Sequence, residues 1–157
     1  IEGFLNSSAS ESSSISIIGG PLTNEDKKYY EYLLNLYKDY KNISFIGPVP
    51  HSELVNYLKN VSFHINNTDK GFYDKSVLET SVNGIINFYK NIDYDKNIPN
   101  KYLEFLKFDG SSDNLSEKIS SIYELSHNEF LELIEYSQIK IKEESLDTLV
   151  ERITKVI

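Results

Sequence analysis

The chain has no cysteine, a single arginine (Arg152) and only three histidines, His51, His64 and His127. Without thiols there is no disulfide framework, no thiolate metal site and no cysteine nucleophile. Three histidines this far apart in sequence do not suggest a zinc cluster. No apolar run approaches the roughly 20 residues of a membrane span, and no signal peptide is visible. Fifteen lysines and one arginine are outweighed by acidic residues, for a formal net charge of −8. That balance argues against nucleic acid as a partner, since such binders usually carry a basic stripe. Apolar residues at 39% and charged residues at 25% are those of an ordinary water-exposed domain. Asn-x-Ser/Thr triplets occur at Asn6, Asn42, Asn60, Asn66 and Asn114. In so Asn- and Ser-rich a chain roughly two or three would arise by chance. Ser44 and Ser62 also fall in stretches that read as buried strands, where a glycan has no room. The triplets therefore read as compositional accident and the protein as cytoplasmic.

At 157 residues the chain is long enough for one domain with its own core. Strand-length apolar runs alternate with helical patterns. Strands are predicted near residues 15–19, 43–46, 61–65 and 85–88, with a weaker fifth at Leu106-Lys107-Phe108. A helix is predicted from Asn24 to Tyr40, presenting Tyr29, Tyr30, Leu33, Leu34, Leu36, Tyr37 and Tyr40 as one broad apolar face, with Thr23 or Asn24 as its cap. Shorter helices are expected at Ser52 to Lys59 and Ser76 to Val82, the second ended by Asn83-Gly84. From residue 113 onward the strands stop, and helices are expected at Leu115 to Leu125, Glu129 to Glu143 and Ser145 to Val156. Strand–helix alternation with short loops implies α/β architecture: a Rossmann-like parallel sheet with right-handed crossovers, flanked by helices, over residues 1–112, then C-terminal helices over 113–157. The opening Ile1-Glu2-Gly3-Phe4-Leu5 resembles a helix tail, and a Ser-rich loop from Ser7 to Ser14 follows it. A doubly wound sheet opens with a strand, so the expectation is a domain truncated at its N-terminus, lacking its first strand and a preceding domain.

Open parallel sheets bind ligands outside the carboxyl ends of their strands. Gly19-Gly20-Pro21, Gly47-Pro48-Val49, Asn66 to Lys75 and the Gly84 region fall there. Gly71-Phe72-Tyr73-Asp74-Lys75 leads straight into the helix beginning near Ser76 and Val77. A helix N-terminus attracts phosphate through its free amides and dipole, and Lys75 adds a full positive charge. Glu79, one turn further on, offers a carboxylate that accepts hydrogen bonds from a sugar diol.

Three stretches, Ile17-Ile18-Gly19-Gly20-Pro21, Ile43-Ser44-Phe45-Ile46-Gly47-Pro48-Val49 and Gly71 to Gly84 (Gly-Phe-Tyr-Asp-Lys-Ser-Val-Leu-Glu-Thr-Ser-Val-Asn-Gly), occur in the order seen in the C-terminal, donor-binding domain of retaining GT-B-type glycosyltransferases of family 4 (group 1), which the chain resembles over nearly its whole length. The resemblance implies that Glu79 binds the nucleotide ribose. It implies that Gly71, Phe72, Tyr73, Asp74 and Lys75, with Ser76 and Val77 at the helix start, approach the donor sugar and diphosphate. It further implies that Gly47, Pro48 and Val49 contact the base, with Gly19 and Gly20 in the neighbouring turn. The family's first glutamate has no counterpart, since Lys70 and Gly71 stand at its place; Asp74-Lys75 takes over part of that role. The implied partner is a nucleotide-sugar donor, with no metal and no cofactor required. The acceptor site, the catalytic-face histidine and any peripheral membrane contact would belong to the missing N-terminal domain, so this part alone is expected to be inactive.

Plainer readings stand beside these. Glu79 is equally a solvated helix glutamate, Lys75 a surface charge and His51 a helix-start residue. His64, in an apolar strand, reads as a core histidine with a hydrogen-bond partner. The tyrosines fall at helical spacing and read as packing. A different class of function, a non-catalytic Rossmann-like nucleotide-binding or regulatory module, fits the same pattern. Gly19-Gly20-Pro21 is not the Gly-x-Gly-x-x-Gly fingerprint of a dinucleotide site.

Overall fold

A computed structural model of the chain describes residues 1–72 and 74–143. Tyr73 and the helix expected from Ser145 to Val156 lie outside the described residues. The chain opens with a short helix α1 (Glu2–Leu5) and a 3-10 turn (Ser8–Glu11), then strand β1 (Ile15–Ile18), helix α2 (Asn24–Tyr37), β2 (Ile43–Gly47), α3 (His51–Leu58), β3 (Phe63–Asn66), α4 (Lys75–Val82) and β4 (Ile86–Tyr89). Two 3-10 turns, Ile92–Asn97 and Asn100–Tyr102, lead into α5 (Leu103–Leu106), α6 (Ser112–Ser121), a further 3-10 turn (Ile122–Glu124) and α7 (His127–Glu143).

The strands form two sheets, where one was expected. β1 pairs in parallel with β2, and β3 in parallel with β4; among the described residues no ladder joins the two pairs. The neighbours are parallel as expected, but a single four-stranded sheet is not formed. The weak strand near Phe108 reduces to one parallel bridge between Tyr89 and Lys107, supported by Phe108 N–H donating to Tyr89 O at 3.0 Å. The preceding residues, Leu103–Leu106, turn as helix α5, which leaves too little extended chain for a ladder. The architecture is mixed α/β, with two small parallel sheets flanked by helices.

Local chemistry explains the helix ends. Thr23 Oγ1 accepts from Asp26 N–H (3.1 Å) while Asp26 accepts from Thr23 N–H (2.8 Å), a capping box that starts α2. Asp74 caps α4, accepting from Ser76 N–H at 2.9 Å. At the other end of α4, Gly84 takes φ +76° while Ile85 N–H reaches Thr80 O (3.0 Å) and Gly84 N–H reaches Ser81 O (3.0 Å), a Schellman closure that needs glycine for its left-handed turn.

One hydrophobic core holds the second sheet. Phe88, Tyr89, Leu106, Ile122 and Leu133 are essentially sealed, and Phe4 and Ala9 from the N-terminal segment join them. α7 lies along α4, with Gln138 donating to Val82 O at 3.1 Å. The first sheet is covered on one face only. Ile15, Ile17, Ile43 and Phe45 share one face, where Tyr30 of α2 meets Phe45 edge-on at 5.7 Å and Ile15 lies against the main core. On the other face Ser16, Ser44 and Ile46 are exposed. This corrects the reading of Ser44 and Ser62 as buried: both are exposed, because β2 has one solvent-facing side and Ser62 precedes β3. α2 does not carry one broad buried face either. Tyr30, Leu33 and Tyr37 turn inward, while Tyr29, Tyr32, Leu36 and Tyr40 form a second apolar stripe that faces water.

Candidate functional site

The segment between β3 and α4 is tied down at several points. Asn66, buried at the end of β3, donates from Nδ2 to Asp74 Oδ2 (2.8 Å) and accepts at Oδ1 from the Thr68 hydroxyl (2.6 Å) and amide (3.2 Å). Asp74 N–H donates to the Tyr94 hydroxyl (2.7 Å), which in turn donates to Asp74 O (3.1 Å). Gly71, at φ +89°, donates its N–H to Asp93 Oδ2 at 2.7 Å, and the buried Asn91 donates to Phe72 O at 2.9 Å. Lys90 closes on Asp69 at 2.6 Å. These bonds hold the loop against the stretch after β4 and leave the Phe72 ring 69% exposed.

Beneath α4 lies a second polar cluster. Asn87 Oδ1 sits 2.7 Å from His64 Nδ1 and accepts from the Thr80 hydroxyl at 2.8 Å. Asn87 Nδ2 donates to Ser81 Oγ (2.9 Å) and Ile85 O (3.2 Å). Since Asn87 Oδ1 can only accept, Nδ1 of His64 must carry the proton. Burial pushes the His64 pKa below its ordinary value, against the opposing effects of the Asn87 bond and the Asp74 charge. His64 is thus a partly buried histidine with the hydrogen-bond partner the sequence suggests, linking β3 to β4.

Glu79 projects from α4 toward α3, its Oε1 4.0 Å from His51 Nδ1. The pair stands at a groove of about 310 Å3 whose walls are Leu54, Val55 and Leu58 from α3 and Leu78 and Val82 from α4. The turn from β2 into α3 carries Gly47, Pro48 and Val49 directly to His51, so the base-contact candidates and the groove are joined by a few residues of chain. Gly19 N–H donates to Gly47 O at 2.9 Å. Gly20 lies so close to Pro48 that a Cβ there would come within 3.1 Å of Pro48 Cδ. The two glycine turns are therefore side by side. A larger hollow of about 570 Å3, lined by Glu2, Leu5, Ser10, Tyr37, Tyr40 and Asn42 among others, opens near the amino end of β2, away from the strand ends that bind ligands in such sheets.

The predicted residues thus fall into three places. Glu79 lines the α3–α4 groove, whereas Gly19, Gly20, Gly47, Pro48 and Val49 form the two adjacent turns that precede His51 and do not line it. Gly71, Phe72, Asp74, Lys75, Ser76 and Val77 form the loop and first turn of α4. Their roles differ from one another: both Asp74 carboxylate oxygens are engaged within the protein, Val77 is a core residue, and Lys75 is exposed at the helix start. Asp74 already holds the Ser76 amide, so a carboxylate stands where an anion would meet the helix. Asn66, Asn91, Asp93 and Tyr94, which anchor the loop, carry no local sequence signature beyond an Asn at a strand end. His51 became a partner of Glu79 only when α3 and α4 packed together. Among the described residues there is no group of three or more His, Asp or Glu able to hold a metal ion, and no helix long and apolar enough to cross a membrane.

No family model, no curated protein and no solved structure matches the chain.

Proposed function

We propose that the chain is the donor-binding part of a retaining glycosyltransferase, one that moves a sugar from a nucleotide-sugar to an acceptor, built on a Rossmann-like half of a GT-B fold. The observation that carries this reading is the α3–α4 groove. It has apolar walls that suit a nucleoside and a half-exposed carboxylate, Glu79, suited to a ribose diol. In this scheme Lys75 supplies positive charge to the diphosphate at the start of α4, and the leaving group is stabilised as the glycosyl bond breaks. The donor is the partner, the acceptor is held by another domain, and the work takes place in the cytoplasm without a metal.

Calorimetric titration with nucleoside diphosphates tests it. Glu79→Ala should weaken binding about ten- to a hundred-fold, or about 1.5–3 kcal/mol, through loss of a charged hydrogen-bond acceptor. Lys75→Ala should lose affinity mainly at low salt, since its charge is exposed. Binding by both variants at the level of the unaltered chain would place the ligand elsewhere.

One observation favours a second reading, a nucleoside-binding module without chemistry. Asp74 caps α4 with its own carboxylate, which opposes a diphosphate at that position. The two readings part in the same titration: the module binds nucleosides as well as diphosphates, whereas the transferase part prefers the diphosphate.

A further inference from the structure

We propose that the outward stripe of α2, with the hollow at its end, is a surface on which a second copy of this chain docks, the two α2 helices antiparallel across a two-fold axis. Helical spacing sets the stripe: Tyr29, Tyr32 and Leu36 fall at i, i+3 and i+7, on one side of α2. The Tyr29 and Tyr32 rings stand stacked at 6.3 Å. Tyr40, in the turn that follows α2, extends the line. All four are between 46% and 63% exposed. At about 100 Å2 from each side chain, they offer on the order of 400 Å2 of contiguous apolar surface, a size that marks an interaction site on a single chain. Three of the four are tyrosine, the residue type that protein interfaces favour.

The stripe has a projecting end and a concave end. Tyr29, the most exposed of the four, stands toward its amino end. At its carboxyl end Leu36 and Tyr40 line the hollow of about 570 Å3, together with Leu5, Tyr37, Glu2 and Asn42. A tyrosine suits this hollow in both halves of its chemistry: the ring meets Leu5, Leu36 and Tyr40, and the hydroxyl donates to the Glu2 carboxylate. Knob and hollow lie about 10 Å apart on one helix, seven residues at 1.5 Å each. A single chain cannot place Tyr29 in its own hollow. Two chains related by a two-fold axis can exchange them, each knob entering the other's hollow. Such an isologous contact closes at two copies.

Charge sets the direction. Lys28 and Asp39 are both exposed and lie on one flank of the stripe, about three helical turns apart. With the helices antiparallel and the axis level with Leu33 and Leu34, Lys28 of each copy comes opposite Asp39 of the other, giving two equivalent ion pairs. The same register carries Tyr29 of one copy to the interval between Leu36 and Tyr40 of the other. Parallel helices would instead set Lys28 against Lys28 and Asp39 against Asp39, a repulsion that excludes that arrangement. The surface is smaller than the roughly 800 Å2 per partner of a standard interface, so the pair is a weak one, with Kd about 10–100 µM. The hollow lies away from the α3–α4 groove, and nothing in this proposal depends on the sugar-transfer reading.

Sedimentation equilibrium of the 157-residue chain, from about 5 to about 500 µM, tests the surface, and the expected result is passage from one copy to two across that range. Tyr29→Ala, which removes the knob, should weaken association at least about ten-fold. Lys28→Glu and Asp39→Lys should each weaken it about five- to ten-fold, since each turns both ion pairs repulsive. An equimolar mixture of those two variants should associate as tightly as the unaltered chain, because one pair is then reversed and the other intact. In dilute solution all three variants should unfold like the unaltered chain, since these side chains face water in a single copy. A chain that stays single at about 500 µM would overturn the proposal. So would association that Tyr29→Ala leaves unchanged, growth beyond two copies, or a mixture that associates no better than either charge variant alone.

Discussion

The two sheets of this molecule share a topology and differ in what surrounds them. Each is a parallel pair of short strands with a helical crossover, yet every residue of β4 is buried while β2 alternates between buried and exposed positions. Phe88 and Tyr89 are 1% and 0% exposed, against 38% for Ile46. The β3–β4 pair is enclosed by helices from several parts of the chain, and its core recruits residues as distant as Phe4 and Leu133. The β1–β2 pair has α2 on one face and nothing over Ser16, Ser44 and Ile46. Of the exposed large apolar side chains, Leu22, Tyr29, Tyr32, Leu34, Leu36, Tyr40 and Ile46 belong to this first region. The same βαβ grammar gives a stable sheet in one place and a half-covered one in the other, because a parallel sheet depends on two covered faces.

That contrast is sharpest in paired core truncations. Phe88→Ala should cost about 3–5 kcal/mol, since it empties a sealed site packed by Phe63 at 5.5 Å. Phe45→Ala, the half-buried counterpart in β2, should cost about 1–2 kcal/mol. Urea unfolding of both variants measures the difference, and equal costs would break the comparison. Next in size, Asn87→Ala should cost about 2–3 kcal/mol, because it leaves the His64 Nδ1–H without its acceptor, while the Thr80 hydroxyl keeps the Ser76 and Val77 carbonyls.

A smaller effect comes from pH. His64 binds its proton more weakly in the fold than its ordinary value of 6.5 would give, chiefly through burial. The unfolded chain therefore takes up more proton in the window below 6.5, and stability should rise with pH through that window and level off above it. Unfolding midpoints between pH 5 and 8 should show this slope, and His64→Gln should flatten it. Smallest of all, Tyr32→Gln and Leu36→Gln on the outward stripe of α2 should change stability by less than about 0.5 kcal/mol, measured by the same unfolding.

Much of the second region was legible along the chain. The Asn83-Gly84 stop, the strand at 85–88, the partnered His64 and the helix over Glu129 to Glu143 each rest on a local rule, a left-handed glycine or an apolar period, and local rules survive folding. The misreadings cluster in the first region. Seven apolar residues at 29–40 looked like one face, but only Tyr30, Leu33 and Tyr37 turn inward. Ser44 looked buried because its neighbours are apolar, and it lies exposed on the open side of β2. For the candidate site, Glu79 and the glycine turns could be singled out by spacing, while the His51 contact and the Asn66–Asp74–Tyr94 ties could not.

The sequence by itself determined the order of strands and helices, the parallel sense of the neighbours, the caps at Thr23 and the Gly84 turn, and the placement of polar loops after the strands. These follow from periodicity, side-chain hydrogen bonds within a few residues and the conformational freedom of glycine. Tertiary structure alone decided that the four strands divide into two pairs, that α3 and α4 leave a groove with His51 beside Glu79, and that Asp74 spends its carboxylate on Asn66 and the helix start. Each of these depends on which distant surfaces meet, and the free energy of such a meeting comes from buried area and paired polar groups contributed by both sides, a quantity that no single stretch of residues contains.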